Sequence, residues 1–335
     1  MDAVQSRTLH SGAGRIATIQ MRTMSLYESG ESTGAVRLSN LFDDGMFESN
    51  GESSLSYDDL VRIIVRGGWP EAVINGLDDG EVVSYYCEAV LNSEIFIDRK
   101  RRNRRKLEML LRSLSRNVST GASNRTILAD ITPDDEMPDG GEVGDSCWSE
   151  SSFVEGSNPP MGIDTLRSYL EALEAISIVE DMPAWEPKLR SRTQIRTSDT
   201  RYVSDPSIAA HFLNATANYL VMDPDTFGLL FENLVIRDLR VYAQAIGGKV
   251  MHYRDKTGLE VDAIVHLNNG RWGAIEIKLS DKRVDEGVRS LIRLKEKVDE
   301  GERNKLSFLA VITGTGYAYT RSDGVHVVPI GCLRN

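Results

Sequence analysis

The chain lacks the features that mark several large classes of protein. It has three scattered cysteines (Cys87, Cys147 and Cys332) and five unclustered histidines, which predict neither a disulfide framework nor a zinc site. No apolar run approaches the roughly eighteen residues of a transmembrane helix, and no charged-then-apolar leader of signal-peptide type is present. We therefore expect a cytoplasmic protein without a membrane partner.

A phosphate-binding loop is also missing. The pattern G-x-x-x-x-G-K-[ST] occurs nowhere in the chain, and the two nearest stretches, Gly12-Ala-Gly14-Arg15 and Gly247-Gly248-Lys249, lack its spacing and its Ser or Thr. Without this loop nothing cradles the β- and γ-phosphates of a nucleotide. We expect no ATP as cofactor and no ATP hydrolysis by this chain on its own.

Charge of both signs is unevenly distributed. A net charge of −11 argues against strong non-specific DNA binding by the whole surface, because phosphate neutralisation drives such binding. One segment carries seven basic residues in eight: Arg99, Lys100, Arg101, Arg102, Arg104, Arg105 and Lys106. The run opens a predicted helix over residues 104–116, where the macrodipole disfavours positive charge. It is either a DNA-binding patch or a solvated run.

The most informative segment is Glu260–Leu267 followed by Asn268-Asn269-Gly270 and the strand that ends at Lys278. It predicts a β-hairpin with acids and a lysine set into apolar strand sequence. A two-residue turn would place Asp262 opposite Ile277, whereas a three-residue loop would place Asp262 opposite Glu276. Both turns are ordinary hairpin forms, and a shift of one residue exchanges the faces.

In the second register the strands predict a metal site. Asp262 and Glu276 would form a hard-oxygen pocket suited to Mg²⁺, and Lys278 would orient a water or contact a phosphate as a point charge. Glu232 is a further candidate from a predicted helix over residues 225–243. The alternative is a half-solvated hairpin whose charges simply face water.

The surroundings predict an α/β class. Lys278 is followed by a predicted helix at 286–298, an apolar strand at 306–312 and a hairpin of residues 317–320 and 325–329. Strands that alternate with helices imply a mixed sheet that contains a parallel pair and is covered by helices.

The middle of the chain predicts a helical region of winged helix-turn-helix type. Helices at 104–116, 123–129 and 163–176 precede a hairpin of 177–181 with 200–203, which is the order of that motif. The candidate recognition helix carries Glu171 and Glu174 against one base, Arg167, so packing against another protein chain competes with DNA contact. Residues 132–160, rich in acids, are predicted to be a disordered insertion.

Three segments carry a family resemblance. They are Phe227-Gly-Leu-Leu-Phe-Glu232, then His252 to Asp262, then Ala274-Ile-Glu276-Ile-Lys278. Together they resemble a PD-(D/E)XK nuclease-like domain and, more closely, the C-terminal region, a domain of unknown function, of certain prokaryotic AAA-type ATP-binding proteins. Three further stretches resemble features of that family: residues 64–72 around Trp69, residues 113–118 around Asn117, and residues 203–207 around Asp205.

The resemblance implies a multi-domain α+β organisation. Residues 1–42 would be a remnant of the AAA-type ATPase module whose nucleotide-binding part is truncated, 43–56 a linker, 57–205 the helical and winged-helix region, and 206–335 the restriction-endonuclease-like domain. It also implies the metal-site roles of Asp262, Glu276 and Lys278, with Glu232 as the helix contributor.

Three functions remain open from the sequence. The first is a Mg²⁺-dependent deoxyribonuclease with Asp262, Glu276 and Lys278 in the chemistry. The second is a non-catalytic regulatory, protein-interaction or DNA-binding module. The third is an ATPase fragment without an independent function.

Overall fold

The computed structural model describes residues 19–43, 51–77, 80–92, 103–132, 161–187 and 198–335. Several predicted features lie outside these residues: the first half of the basic run (Arg99, Lys100, Arg101 and Arg102) and the acidic insertion, apart from Thr132 at its start.

Helices dominate the first two thirds of the described residues. The α-helices of the described residues are α1 (Leu38–Phe42), α2 (Tyr57–Arg66), α3 (Pro70–Asn75), α4 (Glu81–Asn92), α5 (Arg104–Arg116), α6 (Asn124–Ile131), α7 (Ile163–Ala175), α8 (Pro206–Phe212), α9 (Ala217–Met222), α10 (Pro224–Ala245), α11 (Val284–Lys297) and α12 (Glu300–Arg303). Within the described residues, no helix has the length and apolar character needed to cross a membrane.

Side-chain caps explain where several helices begin. The Asn103 side chain accepts a hydrogen bond from the Lys106 amide at the start of α5, and Ser123 accepts one from Thr126 at the start of α6. Asp223 caps α10 in the same way, and Pro224 occupies its first turn. Each cap satisfies an amide that has no partner inside the helix.

Most strands belong to one mixed sheet. The strand bounds are β1 (Val36–Arg37), β2 (Gly248–Arg254), β3 (Glu260–Leu267), β4 (Trp272–Lys278), β5 (Leu306–Thr313), β6 (Tyr319–Thr320), β7 (His326–Pro329) and β8 (Leu333–Arg334). The six-stranded sheet has the order β2-β3-β4-β5-β7-β6, with β5 parallel to both β4 and β7. The predicted α/β class is confirmed.

The hairpin of β3 and β4 has the three-residue loop. Ala263 pairs with Ile275, the Leu267 amide donates to the Arg271 carbonyl at 2.8 Å, and Gly270 lies at a φ of 86°. That positive φ is the conformation that glycine adopts without steric cost. Of the two registers that the sequence allowed, the structure has the one required for metal chemistry.

The two faces of the sheet are covered by different helices. Ala263, Val265, Ile275 and Ile277 belong to the larger hydrophobic core, which contains much of α10 and the middle helices. Ile264, Trp272 and Ala274 belong to a second core that includes Val288 and Leu291 of α11. Alternate residues of one strand point to opposite faces, so the face that carries Glu276 is the face covered by α11.

The middle region has the predicted order of elements. Helices α5, α6 and α7 are followed by antiparallel bridges between Val179 and Val203 and between Met182 and Thr200. A further bridge joins Ala184 to His252 of β2, and the Trp185 amide donates to the His252 carbonyl at 2.6 Å. The hairpin of the middle region is therefore attached to the edge of the C-terminal sheet.

A buried ion-pair cluster fastens the segment 19–33 to the rest of the protein. Arg237 of α10 lies 3.1 Å from Asp205 and 2.7 Å from Asp238, and all three side chains are buried. Asp205 also accepts a hydrogen bond from Thr23, and Asp238 accepts one from the Leu26 amide. Three separate parts of the chain thus converge on one set of buried charges.

Candidate active site: carboxylates around a lysine

The hairpin brings two acids and a lysine together near one end of β3 and β4. The printed pairing ends at Ala263 with Ile275, and its continuation by one residue sets Asp262 opposite Glu276. The Lys278 Nζ atom lies 2.6 Å from Glu276 Oε2 and 3.4 Å from Asp262 Oδ2. Asp262 Oδ2 also accepts a hydrogen bond of 2.7 Å from the Ile277 amide.

Helix α10 supplies a third carboxylate. Glu232 lies on this helix, is partly buried, and accepts a hydrogen bond of 2.5 Å from the hydroxyl of Tyr202. Burial and the nearby Asp262 raise its pKa well above the usual value, and the charges of Lys278 and Glu276 also act on it. All four predicted residues thus interact electrostatically, and we call Glu232, Asp262, Glu276 and Lys278 the carboxylate–lysine site.

Burial makes the negative charge of this site costly. Glu276 is only 3 % exposed, and burial together with the charge of Asp262 raises its pKa to about 8, although Lys278 opposes this change. Desolvation disfavours the charged form of a carboxyl group, and a second carboxylate adds to the effect. At neutral pH the site therefore holds on to a proton or requires additional positive charge.

Lys278 keeps its own proton. Burial by itself would lower the pKa of its ammonium group, but Asp262 and Glu276 raise that pKa above the usual value. A general base must give up its proton near the working pH. Lys278 in this arrangement is a hydrogen-bond donor and a fixed positive charge.

An exposed ion pair lies near the site. Arg283 donates two hydrogen bonds, of 2.9 and 3.0 Å, to Glu286 in the first turn of α11. The hydrogen bonds that Arg283 donates to Glu286 raise the pKa of Arg283, and the charges of Asp262 and Asp225 act in the same direction. Arg283 is thus a cation near the site that interacts electrostatically with Asp262.

The donor set fits a hard cation through two side chains. Asp262 and Glu276 already share one positive group, the Lys278 ammonium, and their oxygens are the ligands that Mg²⁺ prefers. Among the residues that the structure describes, no group of three or more histidine, cysteine, aspartate or glutamate side chains is arranged to hold a metal ion. A Mg²⁺ ion here would depend on water for its remaining ligands.

The described part of the basic run lies elsewhere. Arg104 contacts Glu88 of α4 at 3.0 Å, Arg105 is exposed and Lys106 is partly buried. Helix α5 packs against α4, α6 and α8, whereas the carboxylate–lysine site is built on β3, β4 and α10. The positive charge of Arg104 at the N-terminus of α5 is thus paired with Glu88 of the same chain.

Sequence reasoning missed Tyr202 and the buried cluster around Arg237. Tyr202 carries no local signal, because its partner Glu232 lies thirty residues away in the sequence. The buried cluster has one sequence signal: Asp205 and the stretch around Trp69 both resemble features of the AAA-related family. The Gly68 amide donates to Asp205 at 3.0 Å, and the indole of Trp69 donates to Ser207. Those two stretches meet in space.

Two separate regions of the chain match sequence families. Residues 227–333 match Domain of unknown function (DUF4143). Residues 57–219 match a second family, Domain of unknown function (DUF8612). No curated protein and no solved structure matches the chain. The expectation that the C-terminal region is a domain of unknown function is confirmed.

The DUF4143 match contains the whole carboxylate–lysine site. Glu232, Asp262, Glu276 and Lys278 all fall within residues 227–333, whereas Tyr202 falls within the DUF8612 match. The family descriptions give no activity, so the chemistry must be argued from the geometry.

Proposed function

We propose that the DUF4143-matching region is a Mg²⁺-dependent phosphodiesterase that acts on DNA, with a nuclease-like fold of the PD-(D/E)XK kind. The order of elements supports this proposal: helix α10, three antiparallel strands, helix α11, and strand β5 parallel to β4. The relationship to AAA-type ATP-binding proteins that the sequence suggested is part of the same proposal.

The single observation that carries the proposal is the contact of one ammonium group with two carboxylates. Lys278 Nζ lies 2.6 Å from Glu276 and 3.4 Å from Asp262. A hairpin whose charges served only solubility would point them to water, where ion pairs contribute little. Here Glu276 is buried, so the charged group must be stabilised by specific partners.

The residues have distinct roles in this proposal. Asp262 and Glu276 hold the cation, and a bound Mg²⁺ would supply Lewis-acid chemistry by stabilising negative charge on the phosphate. Lys278 donates hydrogen bonds from its ammonium group, which suits contact with a phosphate oxygen or orientation of the attacking water. Glu232 adds a third carboxyl group, which interacts electrostatically with Asp262.

The experiment compares metal binding and DNA cleavage in matched variants. We expect Mg²⁺ or Mn²⁺ to raise the melting temperature of the full chain and to support nicking of supercoiled DNA. Asp262→Asn and Glu276→Gln should abolish both effects. Glu260→Gln is the control, because Glu260 lies two residues from Asp262 on the same strand and face but is exposed and paired with Arg254 at 2.8 Å.

A non-catalytic binding module is the second candidate. It is favoured by the absence of a three-ligand metal cluster among the described residues and by Lys278, which already balances part of the negative charge. DNA binding in the presence of EDTA, without a metal-induced thermal shift and without cleavage, would select this candidate and refute the phosphodiesterase proposal.

A further inference from the structure

Tyr202 reaches the carboxylate–lysine site from another part of the chain. It follows Arg201 in the hairpin of the middle region, inside the DUF8612 match, and its side chain is 2 % exposed. Its hydroxyl donates a hydrogen bond of 2.5 Å to Glu232 Oε1 on α10. This contact joins the two matched regions directly at the site.

Tyr202 is held both through its backbone and through its ring. The Tyr202 carbonyl accepts a hydrogen bond from the Glu180 amide at 3.0 Å, across the hairpin. The guanidinium carbon of Arg240 lies 5.4 Å from the ring centroid, and Arg240 also donates to the Glu180 carbonyl at 2.7 Å. The hairpin holds the Tyr202 backbone, and Arg240 of α10 contacts its ring. A large movement of the Tyr202 hydroxyl to follow Glu232 would disturb these contacts.

The hydrogen bond acts on a carboxylate that its neighbours repel. Glu232 interacts unfavourably with Asp262 and, more weakly, with Glu276. A flexible glutamate in that field gains by turning away from the other acids, and an ordered glutamate side chain also loses rotamer entropy. The hydrogen bond from Tyr202 holds one oxygen in place and favours the ionised carboxylate, and so opposes both tendencies.

We propose that Tyr202 is a positioning residue for Glu232, so that the carboxylate–lysine site is a composite of the two matched regions. The consequence for metal binding rests on the proposed phosphodiesterase function, whereas the placement of Glu232 does not. The C-terminal region alone, without the hairpin of the middle region, lacks the group that orients its helix carboxylate.

The test is a double-mutant cycle on the full chain with Mn²⁺ as the probe. Tyr202→Phe keeps the ring and removes the hydroxyl, and hydrogen bonds to charged groups are strong enough that we expect Mn²⁺ affinity to fall by roughly tenfold. In a Glu232→Gln background the same change should have little further effect, because Tyr202 acts through Glu232. An equal loss in both backgrounds would overturn the proposal.

Tyr242→Phe is the matched control. Like Tyr202, Tyr242 is buried and its hydroxyl donates a hydrogen bond to a carboxylate. Tyr242 lies on α10, and its partner is the buried Asp238 at 3.3 Å. Its loss should lower the melting temperature and leave Mn²⁺ affinity unchanged. If Tyr242→Phe weakened Mn²⁺ binding as much as Tyr202→Phe, a general loss of packing would explain both results and the positioning role would be refuted.

Crystal structures of the wild-type and Tyr202→Phe proteins give a readout that needs no metal. We expect the Glu232 carboxylate to change rotamer in the variant, and an unchanged carboxylate would refute the positioning role. If the wild-type protein binds no Mn²⁺ at all, the proposed function fails. The two crystal structures would still decide whether Tyr202 positions Glu232.

Discussion

Replacement of Glu276 by glutamine should remove one source of pH-dependent stability between about pH 5 and pH 9. Glutamine has the shape of a protonated glutamate and cannot ionise. Burial and the charge of Asp262 raise the Glu276 pKa from 4.5 to about 8 in the folded protein. The folded state therefore binds a proton that the unfolded state has released between these two pH values.

The sign of the effect follows from this difference in proton binding. Where the folded state binds more protons than the unfolded state, the free energy of unfolding falls as the pH rises. The contribution of protonated Glu276 is fully present below about pH 4.5 and is lost as the pH rises through about 8. Glu276→Gln should therefore match the wild-type protein near pH 5 and exceed it in stability near pH 9.

The size of the effect follows from the two pKa values. One pKa unit corresponds to about 1.4 kcal/mol, so a change from 4.5 to about 8 corresponds to about 5 kcal/mol at full ionisation. Glu232 shares this cost, because its charge and that of Glu276 act on one another. We expect the variant to be more stable by about 2–4 kcal/mol at pH 9, a range that allows for this sharing.

The assay is urea denaturation followed by circular dichroism at several pH values between 5 and 9, in EDTA. Glu296→Gln serves as the control, because Glu296 is exposed on α11 and its charge meets water in both states. Parallel pH curves for Glu276→Gln and the wild-type protein would refute the argument. Parallel curves would mean that the ionised Glu276 carboxylate is as stable in the folded protein as in the unfolded chain in water.

Three further predictions concern the site and its support. Lys278→Met leaves two carboxylates without their shared cation, so it should lower the melting temperature in EDTA. Mn²⁺ should restore part of this loss. A variant that melts at the wild-type temperature in EDTA would contradict the prediction. Gly287→Ala should destabilise the protein in urea denaturation, because an added Cβ would lie 3.0 Å from the Cβ atom of Glu276 in the sheet. Gly228→Ala has no atom within 4 Å of the added Cβ, so this variant should stabilise α10 by about 0.5–1 kcal/mol. Arg237→Met should lower the free energy of unfolding by about 3–5 kcal/mol, because it leaves two buried aspartates without their positive partner. Arg283→Met breaks an exposed ion pair and should lower it by less than about 1 kcal/mol. Similar losses in the two variants would show that burial does not decide the cost.

Local patterns predicted the elements well. Apolar residues recur at helical spacing in α5, α7 and α10, and the three helices begin and end within two residues of the predicted positions. These helices have strong local signals, namely an apolar stripe and, for α5 and α10, a capping side chain. The predicted domain boundaries, ATPase remnant and compartment stay predictions.

The site was predictable only as far as the hairpin reaches. Asp262, Glu276 and Lys278 lie within seventeen residues, and one turn length fixes their pairing, so the sequence reduced the question to two registers. The structure chose between them at Gly270, where the backbone adopts a positive φ and the loop closes between Leu267 and Arg271.

What the sequence determined by itself was the set of local elements and the identity of the chemical groups, because capping, alternation and turn chemistry act over a few residues. Only the tertiary structure decided which groups meet across long separations: Tyr202 with Glu232, and Asp205 with Arg237. Such contacts arise because charged and polar groups that are buried with the core must find partners wherever the packed chain places them.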